Sequence, residues 1–563
     1  MTESALDGAE WLARAIRSTG TTHVFFVDAV LRRTLVALEP LGVARVLAHS
    51  EKAAAYMADG YARASGRAAF CFAQSVGAAN LAAGLQDAWL GRSPVVALTG
   101  RKPPGDQHRN AYQEIAHAPL YAPVAKFHAE VDDAADLPRL LRHAVRAATT
   151  GSPRPAHLDL AGLTGELIEQ GHVSEAAAID AALTHIPPHR PVPDRDALAR
   201  AAAALQAAGR VAVVAGTGAA QSGARAELLA LAEAMAAPVA TSLGARGIIP
   251  TTHRLSAGVV GSYSAPPANR IVHGAELVLF VGCHTGDQAT HAWRIPRPGT
   301  PVVQIDMDPV ELGRNYANTI GLPGDPKATL AALLQAVGRP VRDSAFAQES
   351  AALVARWRES VAPLLASDAV PIRVERLCAE ITRALPDDGI LVADTGYSGI
   401  WTGTLVELNG EGQSYLRAAG SLGWSFPAAL GAKCATPKRK VVCFSGDGAF
   451  YYHLPELETA RRRGIAVAVV VNNNSGFGQG WPNLLRMQGN QPGNPAELLR
   501  FGPTDFAAIA RSFGLRGIRV ERPEEIAPAL RDAIAADETV LVDVVTAIDN
   551  RAPEPWLPGM EET

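Results

Sequence analysis

The chain has 563 residues, 48% hydrophobic and 19% charged, with a formal net charge of -4; that length suggests three or four domains with substantial cores, and mixed charge gives no case for a nucleic-acid partner. Five cysteines (Cys71, Cys283, Cys378, Cys434 and Cys443) are scattered without metal-ligand spacing and read as reduced core residues of a cytoplasmic protein. No signal peptide and no apolar run of about twenty residues indicates export or a membrane span.

Apolar strand-like runs alternate with Ala- and Leu-rich helical stretches, the pattern of parallel sheets. A Pro-rich break at Ile186–Pro193 and a softer boundary between Gly338 and Ser360 divide the chain. The expected organisation is α/β, with three doubly wound parallel-sheet domains at residues 1–185, 196–340 and 366–548 and a tail at 549–563. In the first third, His49–Arg63 places Glu51 in the first turn of a helix, where a carboxylate ordinarily offsets the dipole. A strand Ala68–Ala73 then runs through the small-residue turn Gln74–Asn80 into a helix carrying Leu81, Leu85 and Asp87, and Tyr112-Gln113-Glu114 follows. In the middle third, Val211–Ala215 leads into Gly216-Thr217-Gly218, and a later run ends on Asp306. That pattern suits either a nucleotide, with Asp306 on a ribose, or a packing turn.

The last third carries the most specific signal. The run Lys440–Ser445 closes on Gly446-Asp447-Gly448; a helix Leu454–Arg463 and a strand Ile465–Val471 follow, ending at Asn472-Asn473-Asn474. This is one βαβ unit, with Asp447 and Asn474 offering hard oxygen ligands at strand ends and glycines letting the backbone approach a diphosphate. Asp447, the Asn474 amide oxygen and the carbonyl of Gly476 would leave a magnesium ion room for phosphate oxygens and a water.

At these residues the chain resembles the thiamine diphosphate enzymes of the acetolactate synthase and 2-hydroxyacyl-CoA lyase group, over nearly its whole length. The resemblance implies thiamine diphosphate and Mg2+ as cofactors, with Glu51 hydrogen-bonded to the aminopyrimidine to support the imino tautomer. It implies that the turn with Ser75 and Asn80 borders the pyrimidine and that Gln113 contacts substrate. In Gly420-Ser421-Leu422-Gly423, Leu422 would wedge between the cofactor rings. Gly396, Tyr397 and Ser398, at a helix amino end, would meet the diphosphate together with Gly446 and Gly448, with Ser421 and Phe477 also beside the cofactor. In the middle domain, Gly216, Gly218, Asp306 and Arg154 would hold ADP in preference to FAD. The family's sites lie between subunits, which implies a homodimer or homotetramer.

Two departures bear on the reaction. Phe25-Phe26-Val27-Asp28-Ala29 replaces the Gly-x-Pro-Gly loop of acetolactate synthases, and no adjacent His-His pair marks the pyruvate decarboxylase branch. Asn-Asn-Asn followed by a Gln-Gly loop looks more like the 2-hydroxyacyl-CoA lyases, best their actinobacterial short-chain members. The favoured expectation is therefore cleavage of an acyl-CoA substrate such as 2-hydroxyisobutyryl-CoA to formyl-CoA and a ketone or aldehyde. Glu497 is the candidate base, and the tail with Arg551 and Trp556 is a candidate lid. The alternative is an acetolactate synthase-like carboligase or decarboxylase of 2-oxo acids; a non-catalytic nucleotide-binding protein is the third reading.

Overall fold

A computed structural model describes residues 6–338 and 344–560. The expected end of the middle domain at residue 340, and the outermost residues of the first domain and the tail, lie outside the described residues. The first sheet comprises β1 (His23–Phe26), β2 (Ala44–Leu47), β3 (Ala69–Ala73), β4 (Val95–Arg101), β5 (Phe127–Val131) and β6 (Ala156–Ala161), in the order β2-β1-β3-β4-β6-β5. The middle sheet comprises β7 (Val211–Ala215), β8 (Val239–Thr241), β9 (Ser256–Val259), β10 (Leu277–Val281), β11 (Val302–Asp306) and β12 (Thr319–Pro323), in the order β9-β8-β7-β10-β11-β12. The third comprises β13 (Ile390–Ala393), β14 (Ser414–Arg417), β15 (Val441–Gly446), β16 (Ala468–Asn473), β17 (Arg516–Val520) and β18 (Val540–Val545), in the order β14-β13-β15-β16-β18-β17.

The pairings within these sheets are parallel, as the alternating pattern predicts. Strands β3, β4, β7, β10 and β16 are buried from end to end; β3, β7 and β10 read as continuous apolar runs, while β4 and β16 turn polar only at their carboxyl ends, at Thr99 and Arg101 and at Asn472 and Asn473. The first and third sheets share one strand order, while the middle sheet has the order of dinucleotide-binding folds. The order reverses between β1 and β3, between β7 and β10, and between β13 and β15. Ligands of doubly wound sheets bind outside the strand carboxyl ends at such points.

Two helices lock the outer domains together. Helix α1 (Glu51–Ser65) starts on Ser50, whose hydroxyl accepts the Ala53 N–H at 3.1 Å, and stops on Gly66 at φ 65°. Every residue from Ala53 to Ala62 is buried, because α1 is enclosed on all sides. Helix α2 (Gly77–Leu90) follows β3, helix α3 (Tyr397–Leu405) follows β13, and helix α4 (Ser425–Ala435) packs on α1. A Cβ at Gly60 would stand 2.0 Å from the Ala428 carbonyl oxygen, and one at Gly431 would stand 1.8 Å from that of Met57. The pair therefore meets backbone to backbone, and one apolar cluster joins Tyr56 and Met57 to Phe426, Leu430 and Phe450. All five cysteines are free and buried. Among the described residues no helix is long and apolar enough to cross a membrane.

Candidate functional site

Strands β15 and β16 pair with Gly446 opposite Asn472, so Asp447 and Asn474 leave the sheet side by side at its carboxyl edge. Asp447 is 2% exposed; its Oδ1 accepts the Gly448 N–H at 2.7 Å and its Oδ2 the Gly476 N–H at 3.2 Å. Burial pushes its carboxyl up to about 6, against the pull of those amides. The asparagines have separate fates. Asn472 Oδ1 accepts from the Thr546 hydroxyl at 2.6 Å, and Asn473 Nδ2 donates to Asp543 at 2.8 Å and to the Thr504 carbonyl at 2.9 Å. Asn474 Oδ1 is buried with no hydrogen-bond partner. An orphaned amide oxygen beside a buried carboxylate fits a hard cation. Among the described residues no group of three His, Cys, Asp or Glu forms a metal cluster. A cation here would therefore draw mainly on amide, phosphate and water oxygens, as magnesium does. The carbonyl of Gly476 accepts the Gly478 N–H at 3.1 Å, within its own turn.

Asp447, Asn474 and Gly476 line a cleft of about 510 Å³ together with Gly396, Tyr397, Ser398, Leu422, Gly446, Gly448 and Phe477. The structure thus gathers most of the residues expected at the cofactor from four separate loops. Gly448 is needed because a Cβ there would stand 2.5 Å from the Phe477 ring, which packs edge-on to Phe501. Ser421 lies outside the lining, buried in the loop behind it.

The other half sits on the first domain. Asn80 Nδ2 donates to Glu51 Oε2 at 3.2 Å, and a Cβ at Gly77 would stand 2.5 Å from Glu51 Oε1. The Ser75 hydroxyl donates to the Gln113 carbonyl, tying the turn after β3 to the segment that holds Gln113 at φ 60°. Gln113 Oε1 is buried without a partner. Among the described residues, none from the first domain lines the Asp447 cleft of the same chain.

Other expected residues lie elsewhere. Glu497 is exposed in the first turn of a short helix, Ala496–Leu499, accepting from Asn494 Nδ2 at 3.1 Å, and is not part of the cleft. Arg154 stacks over Trp89 at 3.9 Å and does not line the middle-domain groove. Arg92, which sequence reasoning passed over, does line it, with Gly218, Gly282 and Asp306. Gly216 and Gly218 pack their backbones on Gly282, with the Gly218 N–H donating to the Gly282 carbonyl at 2.9 Å. The packing role of this turn is therefore present whether or not a nucleotide binds. The tail lies docked: Ala552 is buried, the Trp556 carbonyl accepts from Asn269 at 3.1 Å, and Arg551 is exposed. Asn550, from the same tail, lines the cleft.

These halves and their sheets define a thiamine diphosphate-binding architecture, and comparison with known proteins agrees. The thiamine pyrophosphate (the same cofactor) enzyme profiles match as N-terminal TPP binding domain over residues 6–120, central domain over 198–333 and C-terminal TPP binding domain over 394–544. The chain belongs to the thiamine pyrophosphate enzyme family. It is 31% identical over 568 residues to a probable acetolactate synthase large subunit of Methanocaldococcus jannaschii, covering 98% of this chain and 94% of that protein. It is 28% identical to the acetolactate synthase large subunit of Corynebacterium glutamicum, covering 97% of this chain and 87% of the relative. A putative thiamine pyrophosphate-containing protein of Bacillus subtilis is 28% identical, over 90% of this chain and 85% of that protein. These names agree with the acetolactate synthase-like alternative better than with the 2-hydroxyacyl-CoA lyase that the motif after Asn474 favoured.

Proposed function

We propose that the protein is a thiamine diphosphate- and magnesium-dependent enzyme that decarboxylates a 2-oxo acid and joins the resulting acyl unit to a second carbonyl compound. The observation that carries the 2-oxo acid reading is the likeness, over 98% of the chain, to a protein named probable acetolactate synthase large subunit. When bound, the cofactor supplies a carbanion that attacks a carbonyl carbon and accepts the electron pair of the neighbouring carbon-carbon bond.

The chain's own residues have separable tasks around it. Asp447 and Asn474 would hold the magnesium, and the backbone at the amino end of α3 would meet the diphosphate. Glu51 would keep a proton on the far side of the pyrimidine, its carboxyl steadied by Asn80. Leu422 would fill the bend between the rings, and Gln113, with its unpartnered Oε1, offers a polar contact to substrate. That no described first-domain residue lines the cleft of one chain supports sites built between two subunits of a homodimer or homotetramer.

One observation keeps the acyl-CoA reading as a second possibility. The groove of Arg92, Gly218 and Asp306 shares Thr217, Gln221 and His284 with a cavity of about 470 Å³ at the junction of the three domains. That combination offers room for the nucleotide of a CoA thioester, or for a resident ADP. Purified protein with thiamine diphosphate and magnesium should be assayed for pyruvate consumption with CO2 release, and in parallel for formyl-CoA release from 2-hydroxyisobutyryl-CoA. Pyruvate turnover is the expected result; formyl-CoA release without 2-oxo acid turnover would overturn it.

A further inference from the structure

We infer that Asp87 is a positioning residue of the cofactor site, acting from the first domain on the loop that carries Leu422. The inference rests on the thiamine diphosphate reading above and deepens it. Asp87 lies on α2 and is fully buried. Its carboxylate accepts three successive backbone N–H groups of the third domain: Ala419 at 2.9 Å, Gly420 at 3.2 Å and Ser421 at 3.0 Å. Arg63 joins the tie, donating to Asp87 Oδ1 at 3.0 Å and to the Arg417 carbonyl, where the loop leaves β14, at 2.7 Å. Asp59 is a second carboxylate on Arg63 and also accepts from the Trp424 indole.

The far side of the loop is held in the same way. Asp394, at the end of β13, accepts the Gly423 N–H at 3.2 Å and the Ser425 N–H at 2.9 Å. Leu422 is thus the residue between two carboxylate anchors, and it projects into the cleft that holds Asp447. Charge-assisted bonds to consecutive amides fix a loop that has no strand or helix of its own. A domain contact needs only apolar packing; aiming three bonds at the stretch before Leu422 sets the height at which that side chain enters the cleft. A displacement of about 1 Å in such a group costs on the order of 100-fold in rate.

The test is Asp87→Asn in the full chain, reconstituted with thiamine diphosphate and magnesium. Three quantities are read: the cofactor Kd, the hydrogen-deuterium exchange rate at the thiazolium carbon of the bound cofactor, and kcat with KM. The expected result is a Kd within about 3-fold of wild type, exchange and kcat both lower by about 10–100-fold, and KM little changed. Leu422→Ala should give the same pattern, and the double variant should be no slower than the slower single one, because both act through one side chain. Exchange at the wild-type rate under saturating cofactor, or losses that multiply in the double variant, would overturn the inference. Where Asp87→Asn does not fold, Asp87→Glu, which keeps the charge beside Arg63 and shifts the carboxylate, is read by the same criteria. A wild-type protein that binds no thiamine diphosphate would instead sink the cofactor reading itself.

Discussion

Asn473 and Asn474 are neighbours with opposite tasks, and their substitution should separate a structural bond from a ligand. Asn474 Oδ1 is buried and unpartnered, whereas Asn473 is spent on Asp543 and Thr504. Removing one oxygen from a cation site is worth about 1.5–3 kcal/mol, so Asn474→Ala should weaken magnesium-supported cofactor binding by about 10–100-fold and leave the melting temperature near wild type. Asn473→Ala takes the donor from Asp543 Oδ1, while Oδ2 keeps Arg519 and the Phe506 N–H, and should lower stability by about 1–3 kcal/mol. Calorimetric titration and thermal melts of both variants decide; equal effects on binding would remove Asn474 from the metal site. His453 gives a pH signature of a different kind. It is 5% exposed, stands edge-on to Tyr56 at 5.5 Å, and burial, with Lys52 nearby, pushes its imidazole down to about 4. An unfolded histidine takes its proton near 6.5, so between pH 6.5 and 4 the unfolded chain binds more protons and stability falls as the pH falls. The loss from this one group is about 2 kcal/mol at pH 5. Denaturant unfolding at pH 5 and pH 7.5 should show a smaller difference in His453→Gln than in wild type, and an identical difference would refute the assignment.

The α1 and α4 pair shows how far element packing rests on two missing side chains. Because the obstacle at Gly431 is a backbone carbonyl rather than a flexible side chain, Gly431→Ala should cost about 2 kcal/mol or more. Gly105→Ala, where no atom lies within 4 Å, should stay within about 0.5 kcal/mol. Equal melting temperatures for the two variants would mean that the helices part without strain. The strands and the clamp were legible in the sequence because their signals are local: a buried parallel strand is a continuous apolar run, and Gly446-Asp447-Gly448 ends one. What is settled by distant partners was not legible. Which asparagine keeps an unpartnered amide oxygen depends on Thr546, 74 residues beyond Asn472, and the role of Asp87 depends on amides 332 to 334 residues away. Local pattern does not place a side chain: Glu497 stands in the first turn of a short helix outside the cleft of its own chain, and Arg154 sits by Trp89 while Arg92 reaches the groove.

At the scale of the molecule, the first and third sheets repeat one strand order and meet through α1 and α4, yet among the described residues none from the first domain lines the cleft of its own chain. A site with Glu51 at one end and Asp447 at the other would then draw on a second chain. A two-fold dimer resolves this, because an isologous contact that brings the Glu51 end of one subunit to the Asp447 end of its partner makes the reciprocal contact automatically. Such a dimer has two sites, each with Glu51 from one chain and Asp447 from the other. Glu51→Ala and Asp447→Ala should each abolish turnover when present in both chains. When the two variants are coexpressed with different tags and the mixed dimer is isolated, one site inherits both lesions and the other inherits neither. The mixed dimer should then regain about half of the wild-type activity. If each site were built within a single chain, every site in the mixed dimer would keep one lesion and activity would stay at the level of the single variants. Turnover of the purified mixed dimer therefore distinguishes a site between subunits from a site within one.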